Sequence, residues 1–135
     1  MANEAVIIEL LGNAGDPIRY TCSNAATIPK GTLLQLTDPR TASAHSGIDQ
    51  PIVGVAAHEK VINDGSTTIS AYTNGIFDMY AAAAGVTAVG AKCAGSATPN
   101  MITAADANDL LQSSTVGQCL EAHANDEVAA VRILK

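Results

Sequence analysis

Apolar and polar residues alternate in short runs along this chain, and nearly every run stops at Gly, Pro, Asn or Asp. That pattern predicts short strands joined by turns. Val6-Ile7-Ile8-Glu9-Leu10-Leu11 is a β-branched run broken by Gly12 to Pro17, after which Ile18-Arg19-Tyr20-Thr21-Cys22 alternates. Ile28-Pro29-Lys30-Gly31 makes a turn, because Pro fixes φ and Gly accepts a positive φ two positions later. Thr32 to Thr37 leaves that turn extended and Asp38-Pro39-Arg40 ends it. Further strands are expected at Ile52 to Ala57, Thr67 to Tyr72, Ile76 to Met79, Val116 to Leu120 and Val128 to Leu134. In the last of these Val131 and Ile133 share one face and Arg132 takes the other, as a half-buried strand requires. Thr41 to Gln50 is polar and aperiodic and reads as an exposed loop. Ala81 to Ala84, stopped by Gly85, reads as a connector. One short helix is expected after Thr103, whose hydroxyl stands three residues ahead of Asp106 in a capping-box spacing.

The strand pattern occurs twice. Lys30-Gly31-Thr32-Leu33-Leu34, Val53-Gly54-Val55-Ala56 and Asn63-Asp64 leading into Thr68 to Tyr72 form one copy. Val89-Gly90-Ala91-Lys92-Cys93, Val116-Gly117-Gln118-Cys119 and Asn125-Asp126 leading into Val128 to Ile133 form the other. Val-Gly to Asn-Asp spans ten residues in the first copy (63 minus 53) and nine in the second (125 minus 116). The expectation is an all-β chain, a small β-barrel or jelly-roll-like domain of two pseudo-repeated halves with at most short helices. Gly31, Gly54, Gly90 and Gly117 are its structural turns.

With 135 residues the chain has enough length for one core, so residues 1 to 135 are expected to form one domain, residues 1 to 8 serving as a possible extended arm. Hydrophobic residues are 47% but aromatics only 3%, so the core has to be built from Ala, Val, Ile and Leu. Such side chains bury little area each, at about 25 cal/mol per Å², and contact with neighbouring copies is a natural remedy. The net charge is −6, with seven Lys+Arg scattered singly. Nucleic acid is therefore not an expected partner, since phosphate backbones are held by clustered cations. No run is long enough to span a bilayer and Met1 to Glu4 lacks a basic leader, so no membrane partner is expected and synthesis in the cytoplasm is.

Candidate chemistry is thin. Cys22, Cys93 and Cys119 are widely spaced, with no Cys-x-x-Cys, and read as small buried hydrophobes. His58-Glu59 and Glu121-x-His123 follow the two Val-Gly strands and are the one arrangement that suggests a metal. Each His, however, stands in a loop beside a single carboxylate, so solvated strand ends are the better account and no metal is expected. No Gly-x-Ser-x-Gly elbow is present, and Gly12-Asn13-Ala14-Gly15 opens no predicted helix. Tyr20, Tyr72, Tyr80 and Phe77 are too few to line a sugar cleft. Neither a catalytic residue nor a cofactor is expected. Ala2 to Ile8 could instead add to a neighbour's sheet edge, since main-chain hydrogen bonds supply affinity without special side chains, the alternative being that Val6 to Leu11 is simply an internal strand.

In order and spacing, Pro17 to Tyr20, Ile28 to Leu34, Thr37 to Arg40, Val53 to Ala56, Gly75 to Asp78, Val89-Gly90, Val116-Gly117 and Val128 to Leu134 resemble the capsid cement, or head decoration, proteins of tailed bacteriophages. The resemblance implies a structural virion protein without an active site. It implies binding to the exterior of the mature head as a homo-oligomer, a trimer in many relatives and a dimer in some, bridging subunits of the major capsid protein. The proposed contact residues are Ala2, Asn3, Glu4, Ala5 and Val6, chosen by the edge-pairing argument. The alternative reading is a ligand-binding β-barrel module for a glycan or a small molecule.

Overall fold

A computed structural model describes residues 3–9, 17–82 and 88–135, the side chain of Glu9 excepted. The described chain is almost entirely strand: β1 (Val6–Glu9), β2 (Ile18–Thr21), β3 (Leu33–Asp38), β4 (Thr41–Ala44), β5 (Ile52–Ala56), β6 (Thr68–Tyr72), β7 (Asn74–Ala81), β8 (Lys92–Gly95), β9 (Met101–Ala104), β10 (Thr115–Cys119) and β11 (Val128–Leu134). A single short helix, α1 (Ala107–Gln112), lies between β9 and β10.

The strands close into two five-membered rings. In the first the order is β2-β4-β3-β5-β6, and in the second β7-β9-β8-β10-β11, with β1 added to β7. The two rings share one pairing scheme. Each closes through a single parallel pair, β2 with β4 and β7 with β9, and every other neighbour is antiparallel. The two-halves reading therefore holds, and the barrel is the form it takes. The division falls at Thr73, the one residue between β6 and β7. β7 thus opens the second barrel, which begins earlier than the repeat alone suggested. Ala81 closes β7, while residues 83–87 of the expected connector lie outside the described residues.

A five-stranded barrel is too narrow for large side chains, which accounts for the aromatic-poor composition. The first barrel is filled by Cys22, Ile28, Leu34, Ala42, Ala56, Ile69 and Ala71. A second cluster joins the barrels. It takes Leu33, Ile52 and Val55 from the first and Phe77, Met79, Ile102, Val116, Val131 and Ile133 from the second. Leu33 and Leu34 show why: adjacent residues on a strand face opposite ways, so β3 fills its own barrel with one and seals the joint with the other.

Three local expectations are corrected. Thr41 to Gln50 is not all loop, because Thr41–Ala44 is β4, paired with both β3 and β2. The helix is capped by Asp106 rather than Thr103: the Asp106 carboxylate accepts from the N–H groups of Asn108 and Asp109, and Asp109 returns the bond to the Asp106 N–H. The box is shifted by three because Asp109 repeats the spacing that Asp106 offered. Gly54 and Gly117 are not turn residues; they stand within β5 and β10. A Cβ at Gly54 would collide with the Tyr72 carbonyl oxygen, and one at Gly117 with that of Arg132, so both are needed for close approach of a neighbouring strand.

Candidate functional site

The N-terminal segment runs across both barrels. Asn3 has a positive φ of 66°, and the Ala5 N–H donates to the Gly31 carbonyl at 2.6 Å. Gly31 itself has φ of 88°, and a side chain there would run into the Ala5 carbonyl. The chain then continues as β1, antiparallel to β7, with Val6 opposite Asp78, Ile7 opposite Phe77 and Glu9 opposite Ile76. Ile7 packs on the shared core while Val6 is 61% exposed. A groove of about 500 Å³ is left beside it, lined among others by Glu4, Ala5, Lys30 and Ala56. Of the proposed contact residues, Asn3 to Val6 therefore lie together along this strap, and Ala2 lies outside the described residues. β1 ends the strand order of its sheet, so its outer edge faces away from the barrel.

The histidines do not converge. His58 is exposed, its Nε2 accepting from the Ser70 N–H at 3.2 Å and its Nδ1 set against the Glu59 carbonyl at 3.1 Å. His123 is not a solvated strand end: it is buried, with Nε2 at 3.7 Å from Cys119 Sγ. No local sequence signal announces that burial. Among the described residues no group of three or more His, Cys, Asp or Glu is placed to hold a metal ion.

Cys93 and Cys119 lie side by side in the core of the second barrel. A hydrogen bond from Cys93, helped by His123, lowers the Cys119 thiol to about 6, while the same bond and burial push Cys93 well up. A thiolate beside an imidazole is the arrangement of a thiol nucleophile. Both cysteines are nevertheless 0% exposed, so nothing in solution reaches the sulfur. The pair is a polar contact built into an apolar core.

Two polar centres were not legible as such in the sequence. Lys60 is fully buried, its amine donating to the Asn24 carbonyl (3.2 Å), the Val61 carbonyl (2.9 Å) and Asp64 Oδ1 (2.9 Å). That amine is the main reason the Asp64 carboxyl is held below its usual range. His45, in the expected loop, is 1% exposed and ties the barrels together. Its Nε2 donates to the Gly47 carbonyl at 2.7 Å and its Nδ1 accepts from the Asn100 N–H at 3.3 Å. Asn100 in turn accepts from the Leu33 N–H at 2.9 Å. The ring fills the space over Gly95, where a Cβ would stand 2.5 Å from Nε2. A carbonyl on one nitrogen and an N–H on the other fix the neutral tautomer, and burial holds its pKa below the ordinary value.

What this arrangement offers is surface and edge: a strapped double barrel in which Cys93, Cys119, His45 and Lys60 are buried. No curated protein matches the chain. Among solved structures it is similar to the N base of the head fiber gp8.5 of bacteriophage phi29, at 13% identity and a TM-score of 0.54, over 87% of this chain and 92% of that one. At that identity the likeness is one of fold. Residues 13–134 match the phage cement protein family, almost the whole of both barrels, and the chain belongs to that family.

Proposed function

We propose that this capsid-associated structural protein binds the exterior of the assembled head as a homo-oligomer, a trimer or a dimer, and bridges adjacent subunits of the major capsid protein. The family match over residues 13–134 carries this reading. The fold supports it, since closed barrels have few free sheet edges and keep their shape under load. The net charge of −6 suits a position outside the shell, away from packed DNA. A ligand that binds only the assembled state stabilises that state by mass action, and simultaneous contacts add avidity, so a weak contact repeated over a lattice suffices.

The strap is the proposed shell contact: Asn3, Glu4 and Ala5 lead into β1 at Val6, and Ala2, outside the described residues, is proposed with them. Deleting this segment is a poor test, because Ile7 is packed in the core. Val6 is 61% exposed, so Val6→Lys should fold normally and bind less. The decisive experiment is co-sedimentation of the purified protein with expanded empty heads. Saturable binding at a stoichiometry set by the lattice is the expected result, and no binding at saturating protein would end the proposal. Full binding by Val6→Lys would remove the strap from it.

A further inference from the structure

The outward faces of the two barrels differ where their strands correspond. In the first barrel, β2, β4 and β6 turn Tyr20, Ala42, Ile69 and Ala71 inward. Their alternate positions are Arg19, Thr21, Thr41, Ser43, Thr68 and Ser70, all hydrophilic, and Tyr72, which packs against the joint core. That is the ordinary face of a strand whose other side is water. Thr21 and Thr41 even bond to each other through their hydroxyls at 2.6 Å.

β7 and β11 hold the places of β2 and β6 in the second barrel. Phe77, Met79, Val131 and Ile133 point inward there. The alternate positions include Tyr80, Val128, Ala130 and Leu134. Tyr80 is opposite Val128 and Asp78 opposite Ala130, and the Leu120 N–H bonds to the Ala130 carbonyl at 2.9 Å. Tyr80, Val128, Ala130 and Leu120 are therefore contiguous across the strands, while Leu134, opposite Asn74, stands about 20 Å further along β11 beyond Arg132. Tyr80 is 37% exposed, Leu120 41%, Val128 42% and Leu134 66%, so this face is apolar where its counterpart is hydroxylated. Two opposite charges stand on it, Asp78 half-buried and Arg132 exposed, and neither forms an ion pair among the described residues.

We infer that the outward face of β7 and β11 is where two copies of this chain meet, face to face, with Arg132 of one copy against Asp78 of the other. An apolar field carrying one acid and one base is complementary to itself when turned over, as a two-fold contact between identical surfaces requires. Interfaces between copies of one chain are also more apolar than transient ones. A face built for an anionic lipid surface would carry cations without Asp78. The inference rests on the homo-oligomer reading above and assigns it a surface; Val6, opposite Asp78, borders that surface, and Asn3 to Ala5 before it are left for the shell.

The test is the mass in solution by light scattering, with circular dichroism to verify the fold. Wild type should exceed the 13.7 kDa of one chain. Val128→Lys with Leu134→Lys should bring the mass down to that of one chain, and because both side chains are exposed the melting curve should keep its shape. Asp78→Arg and Arg132→Asp should each give single chains, and mixing the two variants should restore the larger mass. A wild type of single-chain mass, lysine variants that keep the wild-type mass, or a mixture that stays at single-chain mass would each overturn the inference. Lysine variants that keep their mass yet lose binding to heads would assign the face to the shell instead. Failure of wild type to bind heads, with the mass results as expected, would end the proposed function and leave this contact standing.

Discussion

Gly31 and Gly90 turn the chain at the same point of the two barrels, with φ of 88° and 83°, yet their surroundings have diverged. The strap crosses Gly31 with the Ala5 carbonyl against it, whereas the nearest atom to a Cβ at Gly90 would be Gln118 Nε2 at 3.8 Å. Gly54 and Gly117 show the opposite: both remain pressed against a carbonyl of the neighbouring strand, Tyr72 in one barrel and Arg132 in the other. The pairing scheme demands a glycine at the strand crossing and a positive φ at the turn in either half. What lies over those positions is free to change, and it differs between the halves.

The largest expected effect tests the shared part. Gly54→Ala and Gly117→Ala should each cost on the order of 3 kcal/mol in urea unfolding, since a backbone carbonyl rather than a pliant side chain has to move. If one is tolerated and the other is not, the two crossings are not equivalent. The turn glycines should then separate. Gly90→Ala carries only the strain of a left-handed backbone, about 1 kcal/mol, and Gly31→Ala should cost clearly more because the strap is also displaced. Equal costs would mean that the Ala5 contact contributes nothing.

The joint adds a pH dependence. His45 has its pKa lowered by burial, so the folded chain binds fewer protons than the unfolded one as pH falls. Its contribution is whole above the ordinary value of 6.5 and declines as pH drops from there towards the folded pKa. Denaturant midpoints should fall over that window, and His45→Gln should flatten the slope; an unchanged slope would place the acid sensitivity elsewhere. The smallest effect is local: Asp106→Ala should cost about 1 kcal/mol through loss of the cap. Leu111→Lys, at 85% exposure on the same helix, should lie within about 0.5 kcal/mol of wild type.

Much of the architecture could be read from the chain because these constraints are local. Alternation marked the strands, and the glycines marked the duplication. The boundary between halves was misjudged because the alternation of β7 is the same whichever barrel it joins, and only its pairing with β11 and β1 decides. Burial of His45 was hidden for a related reason: it sits in a polar stretch and is covered by residues far along the chain, Gly95 and Asn100, and His123 likewise lies in a polar stretch although its ring meets Cys119 in the core. The burial of Lys60 has no sequence signal because its partners are mostly carbonyls, which leave no trace in a sequence. The family could be recognised from motif order, while the apolar outer face could not, since Tyr80, Val128 and Leu134 look like core residues until their strand's inward side is known.

Thr73 carries a mechanical consequence. One residue, at most about 7 Å of chain from Tyr72 to Asn74, separates β6 from β7, so the barrels have no slack between them. If the bonds of the joint open under load, the halves remain held at very high effective concentration and meet again in register. A break there is thus a brief opening and not a separation, which lets the protein yield and recover in place.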